Sequence, residues 1–243
     1  LYPEEVRQLF EKQNIKSQAP NKKVSEFNGM YAYLKLIRYP NLIIVVLTQY
    51  LMRWDIIEPM LEVNQFDLQL DSFHFFLLVL STVCITAAGY VINDYFDTHT
   101  DLLNRPREVL IGTKIHRRFA MFFHILLSMI GVGLGFYLSF HIGIPYLGLV
   151  FLLVTGVLWF YSTTYKRQFL VGNIIVAVLT ALVPLMVVVF EIPLLNTEYK
   201  DLLLKHNMNF MFLFHWVLVF AFFAFMMNLM REIIKDIEDY EGD

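Results

Sequence analysis

The residues of this chain whose types and spacing could do chemistry stand together in Asn93-Asp94-Tyr95-Phe96-Asp97-Thr98-His99-Thr100-Asp101. On a helix, aspartates at i, i+3 and i+7 fall within about 60° of one another and form one acidic stripe. Carboxylates so placed repel unless a positive charge joins them, and oxygen donors of this kind suit a hard divalent cation. A single stripe reads more simply as a solvated helix end. A second one changes the reading, because Asp236, Asp239 and Asp243 repeat the spacing in Arg231-Glu232-Ile233-Ile234-Lys235-Asp236-Ile237-Glu238-Asp239-Tyr240-Glu241-Gly242-Asp243. Two facing carboxylate sets can hold Mg²⁺, which takes few protein carboxylates and keeps other positions for water and phosphate oxygens. The expected ligand is therefore a diphosphate. Arg105, Lys166 and Arg167 are the candidates to hold the phosphate charge that Mg²⁺ does not cover.

The elements that carry these stripes are membrane helices. With 57% hydrophobic residues and a mean hydropathy of +0.54, the chain lies outside the composition of a soluble domain. Its net charge of -3 gives no reason to expect nucleic acid as a partner. The lone cysteine, Cys84, sits in an apolar run and reads as a packing residue. Residues 1–29 are polar and read as a leader or linker, and residues 30–243 as one transmembrane domain. Phe73 to Ile92 carries no formal charge and is long enough to cross a bilayer. The uncharged run from Phe119 to Tyr165 is too long for one crossing and breaks at His141 to Pro145, where Gly143 and Pro145 permit a turn. With Tyr31 to Met52, Phe169 to Phe190 and Met208 to Met230, the spans number six, and Pro184 is expected to kink the fifth.

Orientation follows from the basic residues. If the N-terminus is cytoplasmic, all 19 Lys and Arg except Arg53, Lys200 and Lys205 lie on the cytoplasmic side, as do both aspartate stripes. The segment from Asp55 to Asp71 is then an external loop. Arg38, directly before Tyr39-Pro40-Asn41, has two readings: an interface anchor, or a cation facing a polar interior.

These residues resemble the UbiA superfamily of intramembrane prenyltransferases. The resemblance runs from Tyr31 to Asp243 and rests on Asn-Asp-x-x-Asp-x-x-x-Asp at 93 to 101, Asn-Arg-Pro at 104 to 106, Tyr161 to Arg167 followed by Gly172-Asn173, and the second aspartate motif. Lys35-Leu36-Ile37-Arg38-Tyr39-Pro40-Asn41 looks like the start of the first span in such proteins. The resemblance implies an all-α bundle of nine spans, of which six are present and three would follow Asp243. It implies Mg²⁺ held by Asp94, Asp97, Asp101, Asp236, Asp239 and Asp243, with Asn93 orienting the site. Arg105, Lys166, Arg167 and Tyr161 would then bind an isoprenyl diphosphate, and Arg38, Asn41 and Asn173 would lie near the acceptor. Tyr161 to Lys166 is one residue longer than the family's Tyr-x-x-x-Lys element.

The activity so implied is Mg²⁺-dependent prenyl transfer to a lipophilic or aromatic acceptor in the membrane. The motif strings look most like members that transfer geranylgeranyl to a glycerol-phosphate lipid. An aromatic-acid prenyltransferase of quinone biosynthesis and a non-catalytic protein keeping the fold are the alternatives. A membrane CDP-alcohol phosphotransferase is disfavoured, because its Asp-Gly and Ala-Arg pattern is missing. An ion-coupled transporter is disfavoured by span centres that read as uncharged.

Overall fold

A computed structural model describes residues 30–104, 109–168 and 170–241, except for the side chains of residues 99–101, 103, 104, 167 and 238–241. The first 29 residues, with the expected leader, lie outside it. The described residues are almost wholly helical, and their only β-type pairing is one bridge between Ile111 and Ile115. We number the helices α1 (Met30–Leu36), α2 (Tyr39–Leu51, continuing through Met52–Ile57 and Glu58–Val63), α3 (Ser72–Asn104) and α4 (Arg117–His141), then α5 (Gly148–Thr163), α6 (Val171–Glu198), α7 (Lys200–His206) and α8 (Met211–Glu241). Five are long and apolar enough to cross a membrane, and α1 with α2 makes a sixth span bent by 57°. The chain is an all-α polytopic bundle, as the hydropathy pattern predicts.

Length sets where the aspartates stand. α3 has 33 residues, about 50 Å at 1.5 Å per residue, against roughly 30 Å of hydrocarbon. Its apolar span ends at Thr98, so Asp94 and Asp97 occupy the last turns of the crossing and Asp101 continues beyond it. α8 behaves alike, with a span that ends at Ile237, one residue past Asp236.

At its other end α3 starts from Asp71, whose Oδ1 accepts the N–H groups of Phe73 and His74 at 2.9 and 3.1 Å. Burial raises the Asp71 pKa, but hydrogen bonds from the His74 ring and from these amides together outweigh it and hold the carboxyl below its usual range. α3 and α4 pack as an antiparallel pair. Ser81 Oγ donates to the Gly131 carbonyl at 2.6 Å and the His124 ring meets the Ala88 carbonyl at 3.0 Å. A Cβ at Gly131 would come within 2.5 Å of Ile85, so only glycine admits this approach. The turn from α4 to α5 falls at His141 to Pro145, as expected, with Gly143 at φ +77°.

Two expectations need correction. The segment from Asp55 to Asp71 is not a loop throughout, since α2 runs to Val63 through a π-helical turn at Met52–Ile57 and only residues 64–71 connect it to α3. The charge of Arg53 does not end the span either. Arg53 lies 4.0 Å from Glu191 of α6, with side chains 6% and 1% exposed. Its guanidinium also donates to the Leu70 carbonyl and sits 4.4 Å above the Phe75 ring, while Glu191 accepts the N–H groups of Gln69 and Leu70. The bundle is therefore not free of charge between its ends; an ion pair is sealed inside it and staples the 64–71 connection. α6 likewise continues as a helix through Pro184 and Pro193.

Removing one charge of a sealed pair leaves the other uncompensated, at a cost of about 3–5 kcal/mol. Glu191→Leu is expected to lower the thermal unfolding midpoint in detergent sharply. The double variant Arg53→Met/Glu191→Leu should recover part of that loss.

Candidate active site

Arg38 is built into the bend of the first span. α1 buries Ala32 and Leu36 against Val91 of α3, Leu110, Ile111 and Ile115 of the following connection, and Ala120 of α4. That packing fixes α1 while Pro40 starts α2 in a new direction. The residue at the break, Arg38, takes a left-handed backbone conformation (φ 52°, ψ 54°), costly for a side chain of this size. Its guanidinium reaches Asp94 Oδ1 at 2.9 Å and lies 5.0 Å above the Tyr90 ring. Arg38 is thus the direct partner of the first aspartate, and the plain interface-anchor reading is set aside. Asn41 donates to the Tyr90 hydroxyl at 3.3 Å, which brings the same wall of α2 onto α3.

Asp97, one turn on, has two partners. Asn93 Nδ2 donates to its Oδ2 at 2.9 Å, and the Lys166 ammonium contacts the same oxygen. Lys166 comes from the short 3₁₀ turn Tyr165–Arg167 between α5 and α6. Gly172 lets the start of α6 lie against that turn, since a Cβ there would stand 3.1 Å from the Tyr165 carbonyl and 3.3 Å from Lys166 Cα. Asn173 then donates to Asp236 Oδ2 at 2.7 Å, tying α6 to α8.

These groups line one cavity of about 1730 Å³. Arg38, Asn41, Asn93, Asp94, Asp97, Tyr161, Lys166, Asn173 and Asp236 all face it. Asp101 and Asp239 continue the same two helices, and Arg167 belongs to the Lys166 turn; the side chains of these three, and all of Arg105 and Asp243, lie outside the described residues. From its polar mouth the cavity runs inward between Val45, Ile85, Val154, Leu158, Val176 and Met186. Beside its inner end Gln49 is fully buried, donating to Thr82 Oγ1 at 3.2 Å and to the Val183 carbonyl at 3.1 Å.

Sequence reasoning missed several lining residues. Tyr90 stands one turn before Asp94, and Asn228 two turns before Asp236, both within runs that read as apolar packing. The signal for Asn228 was a lone amide in an otherwise apolar span. Lys35, Arg231, Glu232 and Lys235 also reach the cavity. Asn93 Oδ1 and Asn228 Nδ2 are buried without a partner. The first is an oxygen donor, and with the carboxylates of Asp94, Asp97 and Asp236 on the same cavity wall it is of the chemistry Mg²⁺ takes; among the described residues those three carboxylates do not lie within 4.8 Å of one another.

A polytopic helical bundle whose cavity joins a carboxylate- and cation-rich mouth to an apolar shaft defines an integral membrane protein with a ligand-sized internal site. The chain belongs to the UbiA prenyltransferase family, which it matches over residues 65–243. It is 33% identical over 216 residues to a digeranylgeranylglyceryl phosphate synthase of Methanothermobacter thermautotrophicus, covering 88% of this chain and 63% of that protein. To the synthase of the same name from Methanosphaera stadtmanae it is 34% identical over 170 residues, covering 68% and 53%. A solved structure described as digeranylgeranylglyceryl phosphate synthase in membranes superposes with a TM-score of 0.61 at 25% identity, over 88% of this chain and 65% of the other. The chain therefore spans between about half and two thirds of the length of these relatives.

The contact at Gly172 gives a test of how Lys166 is positioned. Gly172→Val must push the Lys166 turn away from α6, at a cost of about 1–3 kcal/mol. A lower unfolding midpoint together with weaker Mg²⁺-dependent binding of inorganic diphosphate, read by calorimetry, is the expected result.

Proposed function

We propose that this protein transfers a geranylgeranyl group from its diphosphate to the hydroxyl of a glycerol-phosphate lipid within the membrane. The observation that carries the proposal is that both aspartate stripes, through Asp94, Asp97 and Asp236, line one cavity together with Arg38 and Lys166, its polar mouth leading to an apolar shaft. The names of the relatives support the same substrates. A volume of about 1730 Å³ exceeds the roughly 300–1,000 Å³ of ordinary ligand pockets, as two lipid-like substrates require.

In this reading Asp94, Asp97, Asp101, Asp236, Asp239 and Asp243 hold Mg²⁺, with Asn93 fixing Asp97. When bound there, Mg²⁺ would supply positive charge to offset what gathers on the diphosphate oxygens as the allylic C–O bond breaks. Arg38, Lys166, Arg167 and Arg105 add fixed positive charge against the same leaving group. The electron pair of the broken bond goes to the diphosphate, and the allylic carbon gains cationic character in a space faced by Tyr90, Phe96 and Tyr161. Aromatic faces attract such a cation by on the order of 1–2 kcal/mol each when water is excluded. The acceptor oxygen forms the new C–O bond, and its proton passes to the basic oxygens of the mouth.

Lys35, Arg231 and Lys235 support a phosphorylated acceptor, because they bring positive charge to the mouth beyond that paired with Asp94 and Asp97. Asn41 and Asn173 stand on the α2 and α6 walls, where the acceptor would enter. We also read the aspartate end as cytoplasmic: with Arg53 sealed inside the bundle, only Lys200 and Lys205 remain as basic residues of the opposite side.

Product lipid is to be followed by mass spectrometry with geranylgeranyl diphosphate and either geranylgeranylglyceryl phosphate or an aromatic acid as acceptor. Transfer to the phospholipid precursor should fall about 10²–10³-fold in Asp94→Ala and in Asp236→Ala, and vanish with excess chelator. Undiminished transfer after chelation would overturn the reading, and transfer to the aromatic acid alone would replace the acceptor.

A further inference from the structure

At the end of the bundle away from the aspartates, three side chains converge that the transfer chemistry does not use. Asp71 precedes α3, His74 lies in its first turn and His141 closes α4. A carboxylate oxygen and one nitrogen from each imidazole all lie within 4.8 Å of one another. We propose that Asp71, His74 and His141 form a binding site for a divalent transition-metal ion of the Zn²⁺ type, which clamps the start of α3 to the end of α4.

The donor chemistry is that of such ions. Two imidazoles and one carboxylate suit Zn²⁺, Cu²⁺ or Ni²⁺ rather than Mg²⁺, and three protein ligands leave a coordination position open to water. Bonds of about 2.0–2.1 Å in tetrahedral geometry put donor atoms roughly 3.3 Å apart, so an ion would replace the hydrogen bond between Asp71 Oδ2 and His74 Nδ1, easing those two atoms apart, while donors now up to 4.8 Å from one another draw closer. All three side chains are at least partly exposed and have room to make that adjustment.

Asp71 and His74 are also oriented from behind. Asp71 Oδ1 is engaged by the Phe73 and His74 amides, which turns Oδ2 toward His74 Nδ1. The other nitrogen of that ring, Nε2, lies 3.3 Å from the Tyr137 hydroxyl. A metal-bound imidazole ordinarily donates its second N–H to an oxygen in this way, which fixes the ring and its tautomer. His141, one turn after Tyr137 on α4, stacks on His74 with ring centroids 3.6 Å apart and planes 9° from parallel. The two imidazoles thus come from α3 and α4, and rotation of the rings out of this stack would turn an in-plane nitrogen of each toward one ion at their shared edge, joining those helices directly.

The test uses the purified chain in detergent, stripped with chelator, exposed to ZnCl₂ and passed through gel filtration. One equivalent of Zn²⁺ should be retained, and the unfolding midpoint should rise by several degrees relative to the stripped protein. His74→Gln/His141→Gln, and separately Asp71→Asn, should lower Zn²⁺ affinity at least tenfold and remove the shift, while the stripped variants unfold near the stripped parent. The site is refuted if the parent retains no Zn²⁺, or if the double variant retains as much as the parent.

Discussion

Pairing of the aspartates with cations of the chain itself is the interaction on which the rest of this structure depends. Carboxylates in the last turns of a membrane crossing are partly withdrawn from water, and an uncompensated charge there costs several kcal/mol. Asp94 and Asp97 are only 25% and 18% exposed, and each carries a partner. Neither partner comes from α3. One is delivered by a strained bend in the first span and the other by a 3₁₀ turn between α5 and α6, so the sites of irregular backbone are those that carry charge to the cavity. In the proposed reading the same two cations would have a second use, since carboxylates occupied by a metal ion would leave them facing phosphate.

Irregular backbone at the mouth requires a firm frame elsewhere. The frame is polar where a membrane bundle is ordinarily greasy: Gln49 joins α2, α3 and α6 near the inner end of the cavity, and Arg53 with Glu191 locks α2, α6 and the 64–71 connection beyond it. Lipid tails give helices little hydrophobic reason to associate, so close glycine contacts and internal polar bonds specify the packing. Gly131 against Ile85 and Gly172 against the Lys166 turn serve the same end. The π-helical turn at Met52–Ile57 belongs to this frame as well, because it lies where Arg53 turns inward to its partner.

How far the sequence speaks depends on the range of the interaction. The stripes at Asp94, Asp97, Asp236 and Asp239, the spans and the turn near Gly143 rest on periodicity and local turn chemistry, and they could be read directly. Arg53 and Glu191 could not, because each looks like a boundary charge until the other is known, and 138 positions separate them. Hydropathy consequently ended one span at Met52 and another at Phe190, where the helices run on. The role of Arg38 was half legible: its depth in the span suggested a polar interior, but its partner depends on a bend that no local pattern announces. Asn228 and Tyr90 went unread because a single polar residue in an apolar run looks the same whether it faces a cavity or a neighbouring helix.

The charge balance of the mouth bears on what it is built to receive. Among the described residues its lining carries Lys35, Arg38, Lys166, Arg231 and Lys235 against Asp94, Asp97, Glu232 and Asp236. Without ligands this is close to neutral, which is how so many ionised groups are tolerated at the edge of a low-dielectric slab. Divalent cations on the carboxylates would make it strongly positive, and one diphosphate would not by itself restore the balance. A second anion at the same mouth would. In the proposed reading, a phosphomonoester on the acceptor would supply it and a carboxylate would supply less, which is the electrostatic ground for proposing an acceptor whose head is a phosphate and whose tail shares the apolar shaft.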